Sequence, residues 1–155
     1  MTAKSLRKAS RNDAFRKMSS PARRIFLSYS WSDREVAQGF AETLKSAGFE
    51  ISNPADSIEP GQNWLLVVGQ ALQKSDAVVL FLSSAALRSQ ATTHELEYLL
   101  STKKFKDRVV PVLLSSDVQV PWIIRRLPIV KMRNEPAADV ARAAKAVVRE
   151  LEHRL

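Results

Sequence analysis

The sequence contains no cysteine, which excludes disulfide bonds, thiolate metal ligands and a cysteine nucleophile. Its two histidines, His94 and His153, disfavour a zinc site, and no nucleophile elbow precedes His94 to support a serine hydrolase triad. The four glycines form no Gly-x-Gly-x-x-Gly motif, which disfavours an ordinary dinucleotide-binding site. No apolar run approaches the roughly 18 residues of a membrane span, and the charged N-terminus has no apolar signal segment. We therefore expect a cytoplasmic protein without a membrane-spanning helix.

The positive charge of the chain is concentrated at its start. The 155 residues carry a net charge of +8, but residues 25–155 hold sixteen cations and fifteen anions and are nearly neutral. We therefore expect a basic, flexible arm over residues 1–22 and a single domain over residues 23–155. Residues 1–24 contain one anion, Asp13, and eight cations, which are Lys4, Arg7, Lys8, Arg11, Arg16, Lys17, Arg23 and Arg24.

Short β-favouring segments alternate with helical patterns along the whole domain. Strands are predicted at 25–29, 49–51, 77–82, 109–114 and 129–131, and helices at about 33–47, 65–74, 92–103 and 135–151. In the first helix Val36, Phe40 and Leu44 share one face, and Gly48 is a natural helix stop. This alternation predicts an α/β fold with a flavodoxin-like, doubly wound parallel sheet of five strands in the order 2-1-3-4-5.

The fold locates the expected site before any motif is considered. Ligands of such sheets bind at the carboxyl ends of the strands, where the strand order reverses between strands 1 and 3. Segments 28–33 and 83–95 follow these strands and are rich in hydroxyls and carboxylates. On the helix over 92–103, Glu95 and Glu97 lie on opposite borders of the apolar stripe, so only one can line the cleft. Periodicity leaves open which one, and both are also compatible with ordinary solvated carboxylates.

Three segments in this order resemble the Toll/interleukin-1 receptor (TIR) domain family in its bacterial form. Residues 25–33 (IFLSYSWSD) resemble the first conserved box, and residues 56–61 (DSIEPG) resemble the BB loop, which follows strand 2 and ends in Pro-Gly. Residues 81–84 (FLSS) followed by 89–96 resemble the Ser-x-Trp-Cys-x-x-Glu-Leu segment, although Ala91 and Thr92 replace Trp-Cys. The resemblance covers about residues 24–150, and the late Phe-Trp box of animal receptor adaptors is missing.

The resemblance implies a reaction and a catalytic residue. Many TIR domains cleave NAD⁺ between nicotinamide and ribose, and Glu95 aligns with their catalytic glutamate. A single carboxylate suits this chemistry, because it stabilises the oxocarbenium ion while nicotinamide leaves as a neutral molecule. NAD⁺ is then the substrate, and no cofactor or metal is required. Thr92, one turn before Glu95, would orient it.

Other candidates surround this position in the predicted fold. Trp31 would stack on nicotinamide or adenine, or is simply a surface or core-capping aromatic. Ser30, Asp33 and Ser83 would bind ribose or phosphate, although Asp33 suits a helix N-cap equally well. The family resemblance implies that the BB loop docks on a neighbouring domain and completes the site. The assembly residues would be Asp56, Ile58, Pro60, Gly61 and Trp64.

The leading hypothesis is a NAD⁺ glycohydrolase or ADP-ribose cyclase of a prokaryotic immune or stress response, activated by self-assembly into a homo-oligomer. The alternative is a non-catalytic TIR module that recruits a partner protein. A third hypothesis is binding of nucleic acid or an anionic surface through the basic arm, which is also compatible with a solvated tail.

Overall fold

A computed structural model describes residues 22–53, 63–88, 90–133 and 136–155, with the backbone alone for 64–65, 90–93 and 136–137. The strands are β1 (Arg24–Ser28), β2 (Glu50–Ser52), β3 (Ala77–Leu82), β4 (Val109–Leu113) and β5 (Val130–Lys131). The helices are α1 (Arg34–Ser46), α2 (Trp64–Gln73), α3 (Ser84–Arg88), α4 (Gln90–Ser101) and α5 (Pro136–Arg154). Single 3₁₀ turns occur at Trp31–Asp33, Lys103–Phe105 and Trp122–Ile124.

The sheet is parallel throughout and has the order β2-β1-β3-β4-β5, which confirms the predicted fold class. All six residues of β3 are buried, as expected for a central strand covered on both faces. The register aligns Leu27, Val79 and Val110 across the three middle strands. The carboxyl ends of β1 and β3 therefore lie side by side, at the point where the strand order reverses.

Two apolar clusters cover the two faces of the sheet. Ile25 and Leu27 of β1 belong to the cluster formed with α1 and α5, whereas Phe26 belongs to the cluster formed with α2 and α4. Because side chains alternate along a strand, Ser28 points to the same face as Phe26. This alternation directs the last side chain of β1 toward α4.

The helix boundaries follow the sequence signals with small differences. Gly48 has a φ of 97° directly beyond α1, which confirms the predicted helix stop. The predicted helix over 92–103 runs instead from Gln90 to Ser101, and α3 was not predicted at all. α3 has only five residues, too few for a periodic apolar pattern. None of the described helices is long and apolar enough to span a bilayer.

Candidate functional site

The site is centred on a contact between β1 and α4 at the carboxyl edge of the sheet. Ser28 ends β1 and is buried, and its hydroxyl lies close enough to the carboxyl group of Glu95 to lower the pKa of that group. Ser28 reaches α4 because strand alternation turns it to that face, while Leu99 anchors α4 in the apolar cluster beneath. Glu95 therefore approaches the sheet at the strand ends, where ligands of this fold class bind.

The Glu95 carboxyl group is incompletely satisfied. Its Oε1 atom is buried and has no hydrogen-bond partner among the described residues. Burial raises the pKa of Glu95 from 4.5 to about 7, and the Ser28 hydrogen bond opposes this shift. A buried oxygen without a partner is costly, and a ligand hydroxyl donated to Oε1 would remove that cost.

Glu97 faces away from the site. Its side chain is 73% exposed, and its Oε2 lies 3.9 Å from Nδ1 of His94. The helical wheel places the two carboxylates on opposite borders of the apolar stripe, and the fold buries the Glu95 carboxyl near Ser28 and leaves Glu97 in solvent. The sheet decides this, because α4 packs through Leu99 with the Glu95 border turned toward β1.

A second polar contact joins the loops that follow β1 and β3. The Ser83 hydroxyl donates to Oδ2 of Asp33 at 2.5 Å and accepts from the backbone N–H of Ala86 at 3.1 Å. Asp33 occupies the N-cap position of α1, but its side chain makes no capping hydrogen bond. The Asp33 carboxylate therefore links the two loops, and Ser83 also caps the short helix α3.

Trp31 lies in the turn after β1 and is 66% exposed. The Arg34 guanidinium stands 4.6 Å from the ring centroid, and its Nη1 donates to the Trp31 carbonyl at 3.1 Å. The ring is thus held by a cation while keeping most of its surface accessible. Ser30, one residue earlier, has its hydroxyl 3.3 Å from that of Ser32.

The described structure brings four sequence-derived candidates to one edge: Ser30, Trp31 and Asp33 after β1, and Ser83 after β3. Glu95 approaches the same edge from α4. Thr92 and Trp64 lie in helices α4 and α2, but their side chains are outside the described part of the chain. The assembly residues Asp56, Ile58, Pro60 and Gly61 also lie outside the described residues.

Sequence reasoning missed Ser28 and Asn53 as individual contributors. Ser28 is a polar residue that directly follows the apolar run Ile25–Leu27 of β1, a signal that could have pointed to it. Asn53 donates to the Tyr29 hydroxyl and ties the end of β2 to the end of β1. No sequence pattern within either segment predicts this hydrogen bond between Asn53 and Tyr29. Within the described ranges, no group of three or more His, Asp or Glu residues is placed to hold a metal ion.

The chain is similar in sequence to known proteins. A family model described as TIR domain matches residues 25–148. A curated relative, the NAD(+) hydrolase PdTIR of Paracoccus denitrificans (strain Pd 1222), is 26% identical over 96 residues, which is 61% of this chain and 32% of that protein. The chain thus spans about a third of the length of that relative.

Solved structures resemble the fold over most of the chain. The TIR domain of the Toll-related receptor TRR-2 from Hydra magnipapillata has a TM-score of 0.67 and 16% identity, covering 83% of this chain and 97% of that one. A prokaryotic SEFIR domain has a TM-score of 0.66 and 16% identity, covering 84% of this chain and 99% of that one. A metazoan TIR-STING receptor from C. gigas, in complex with 2′,3′-cGAMP, has a TM-score of 0.60 and 25% identity, covering 77% of this chain and 38% of that one.

Proposed function

Because the chain belongs to the TIR domain family, we propose that it cleaves NAD⁺ between nicotinamide and ribose, with Glu95 as the catalytic residue. The observation that carries the proposal is the half-buried Glu95 carboxyl, whose Oε1 lacks a partner among the described residues. The name of the relative from Paracoccus denitrificans, an NAD(+) hydrolase, supports the choice of substrate.

The proposed reaction needs one carboxylate. The bond between C1′ of the ribose and N1 of nicotinamide breaks, and its electron pair stays on N1, so that nicotinamide leaves neutral. The ribose then carries an oxocarbenium ion, which the Glu95 anion stabilises in a site shielded from water. A water molecule adds to C1′ and releases a proton, which gives ADP-ribose. If a nucleophile of the ADP-ribose itself adds instead, the product is a cyclic ADP-ribose.

The protonation state of Glu95 fits a cationic substrate. With a pKa of about 7, the free carboxyl is close to half ionised at neutral pH. The positively charged nicotinamide ring would lower this pKa, because an opposite charge nearby favours the anion. Substrate binding would therefore generate the charged form that the transition state needs, and a ribose hydroxyl would donate to Oε1.

The neighbouring side chains take supporting roles in the proposal. Ser28 is a positioning residue, since its hydroxyl holds the Glu95 carboxyl at the strand end. The exposed ring of Trp31 stacks on nicotinamide or adenine, and Ser30 and Thr92 bind or orient the ribose side. The Asp33–Ser83 hydrogen bond fixes the two loops that flank the substrate.

The proposal also covers self-association of the protein and the cell in which it acts. Activity would require self-association through TIR–TIR contacts that include Pro60, Gly61 and Trp64, in the cytoplasm of a prokaryotic cell during an immune or stress response. Residues 1–22 would form a basic arm outside the TIR domain of residues 23–155.

Nicotinamide release by the purified chain, at high protein concentration, tests the function. Turnover, followed by identification of the nucleotide product, would separate hydrolysis from cyclisation. No release, even when the protein is clustered on a scaffold, would favour the alternative of a non-catalytic assembly module.

A further inference from the structure

A cationic surface lies at the amino edge of the sheet, opposite the Glu95 site. The loop between α4 and β4 carries four cations within residues 103–108 and a single anion, Asp107. Arg108 ends this loop directly before β4, and its carbonyl accepts from the backbone N–H of Val78 in β3 at 2.9 Å. We call this surface the basic edge, defined by Lys103, Lys104, Lys106, Arg108, Arg126 and Arg154.

The basic edge is recessed. A groove of about 310 Å³ is lined by Lys103, Lys104, Asp107 and Arg108. A second groove of about 130 Å³ shares Asp107, and its charged lining also includes Lys106, Arg126 and Arg154. Cations therefore line two adjoining depressions, a shape that admits a chain of phosphates.

Contacts with neighbouring elements fix the shape of these grooves. Lys104 Nζ donates to the Gln73 carbonyl at 2.7 Å, which ties the loop to the end of α2. Arg154 Nη1 donates to the Asp107 carbonyl at 2.7 Å, which ties the same loop to the end of α5. The grooves are thus held by two helices rather than by the loop alone.

Most of this charge is uncompensated. Lys103, Lys106, Arg108 and Arg126 form no ion pair with any carboxylate in the part of the chain that the structure describes. Arg154 is paired to Glu150 at 3.4 Å. Uncompensated cations in neighbouring grooves produce the positive potential that attracts a polyanion.

We infer that the basic edge is a binding surface for nucleic acid. Its positive grooves would attract the phosphates of a duplex. The large hydrophobic side chains that are exposed, Trp31, Leu66, Tyr98, Trp122 and Ile123, do not line either groove. The apolar lining is limited to Leu127 and Pro128 in the second groove, so a nucleic acid suits the surface better than a lipid bilayer.

The basic N-terminal segment joins the domain at the same edge. Residues 1–22 contain six cations and one anion, and they join the domain just before Arg24, the first residue of β1. The Arg24 carbonyl accepts from the N–H of Asp76, directly before β3. With strands spaced about 4.8 Å apart, the starts of β1 and β4 are roughly 10 Å apart. The arm is therefore attached beside the basic edge and far from the Glu95 site.

Fluorescence anisotropy with a short labelled DNA duplex, titrated against the full chain at several salt concentrations, tests the inference. Neutralising three cations of the basic edge should weaken binding by about tenfold or more and reduce the salt slope by about 0.9 for each lost phosphate contact. The substitutions are Lys103→Ala, Lys106→Ala and Arg126→Ala, all of exposed residues.

Two matched variants remove the same net charge elsewhere. A triple in exposed parts of α1 and α5, with Lys45→Ala, Lys145→Ala and Arg149→Ala, should change affinity by no more than about twofold. A triple in the arm contains Lys4→Ala, Arg7→Ala and Lys8→Ala. Thermal unfolding of each variant confirms that the fold is retained.

The inference requires the edge triple to weaken binding more than the α1 and α5 triple does. Equal losses in these two variants would mean that net charge alone drives binding, and would overturn it. Loss in the arm triple with none in the edge triple would also overturn it. Binding of the chain to phosphatidylserine vesicles without binding to the duplex would also overturn the inference.

Discussion

The hydroxyl of Ser28 at the end of β1 lies beside the carboxyl of Glu95 in α4 and lowers its pKa, while Glu95 Oε1 is buried and has no hydrogen-bond partner among the described residues. The contact connects a buried strand of the sheet with the proposed catalytic residue. It places one carboxylate at the strand ends. The raised pKa follows from the same burial.

The first prediction concerns the pH dependence of turnover. Free Glu95 must be ionised to stabilise the oxocarbenium ion, so kcat/KM for NAD⁺ should rise with pH and level off, with a midpoint near pH 7. Ser28→Ala removes a hydrogen bond that favours the anion, so its midpoint should move to higher pH. A midpoint that stays in place or moves down in Ser28→Ala would contradict the positioning role.

The second prediction concerns stability. The native state holds the Glu95 proton up to about pH 7, whereas the unfolded state releases it near 4.5, so stability falls as pH rises through this window. Glu95→Gln removes the titration and should exceed the wild type in unfolding free energy at pH 8 by as much as about 3 kcal/mol. Urea unfolding at pH 5 and pH 8 measures the difference.

The exposed neighbour Glu97 provides the control for this stability test. Glu97→Gln should follow the pH dependence of the wild type, because the Glu97 side chain is largely in solvent. A Glu95→Gln variant with the same pH dependence as the wild type would show that Glu95 titrates normally.

The third prediction uses two helical glycines. A Cβ at Gly39 in α1 would lie 2.8 Å from Val140 Cγ1 in α5, and the β-branched valine has little freedom to move aside. Gly39→Ala should therefore destabilise the fold by about 1–3 kcal/mol. Gly69→Ala in α2 has nothing within 4 Å and should stabilise it by about 0.5–1 kcal/mol through helix propensity. Thermal unfolding of both variants measures these changes in stability. A stability change of the same sign in both variants would contradict the predicted clash with Val140.

The fourth prediction concerns a polar clamp between β5 and α5. Asp139 is buried and accepts both Arg142 Nε and Nη2 at 2.6 Å, as well as the backbone N–H of Arg133 at 2.7 Å. These hydrogen bonds, those from Arg142 first, lower the pKa of Asp139 to about 2. The stabilisation is thus complete above the ordinary value of 3.8 and is lost as pH falls through about 2.

Asp139→Asn should lower Tm by several degrees at neutral pH, and the difference from the wild type should shrink below pH 3. Glu150→Gln breaks the longer pair with Arg154 at 3.4 Å and serves as the control, with a much smaller change. A Tm difference for Asp139→Asn that is constant with pH would contradict the ionic origin of the clamp.

Local patterns predicted the framework of the fold. The apolar run over 77–82 coincides with β3, and the spacing of Phe40 and Leu44 gave the buried face of α1. Strand order followed from the alternation of strands and helices, because right-handed crossovers leave few arrangements. Such features depend on short-range periodicity, which can be read directly from the sequence.

The site depends on contacts between distant segments, which periodicity does not contain. The helical wheel left Glu95 and Glu97 equivalent, and only packing on β1 distinguishes them. Asp33 has the sequence signature of an N-cap, yet its carboxylate binds Ser83 after β3. The family resemblance, and not periodicity, pointed to Glu95, and its catalytic role remains a proposal.

Nicotinamide release from NAD⁺ by the wild type, Glu95→Gln and Glu97→Gln at matched concentration and pH 8 tests the central claim most directly. The account predicts release by the wild type and Glu97→Gln, and a loss of at least about a hundredfold in Glu95→Gln, because the Glu95 carboxyl is buried beside the end of β1 whereas the Glu97 side chain lies in solvent. Equal release by Glu95→Gln and the wild type, with the fold intact, would contradict it.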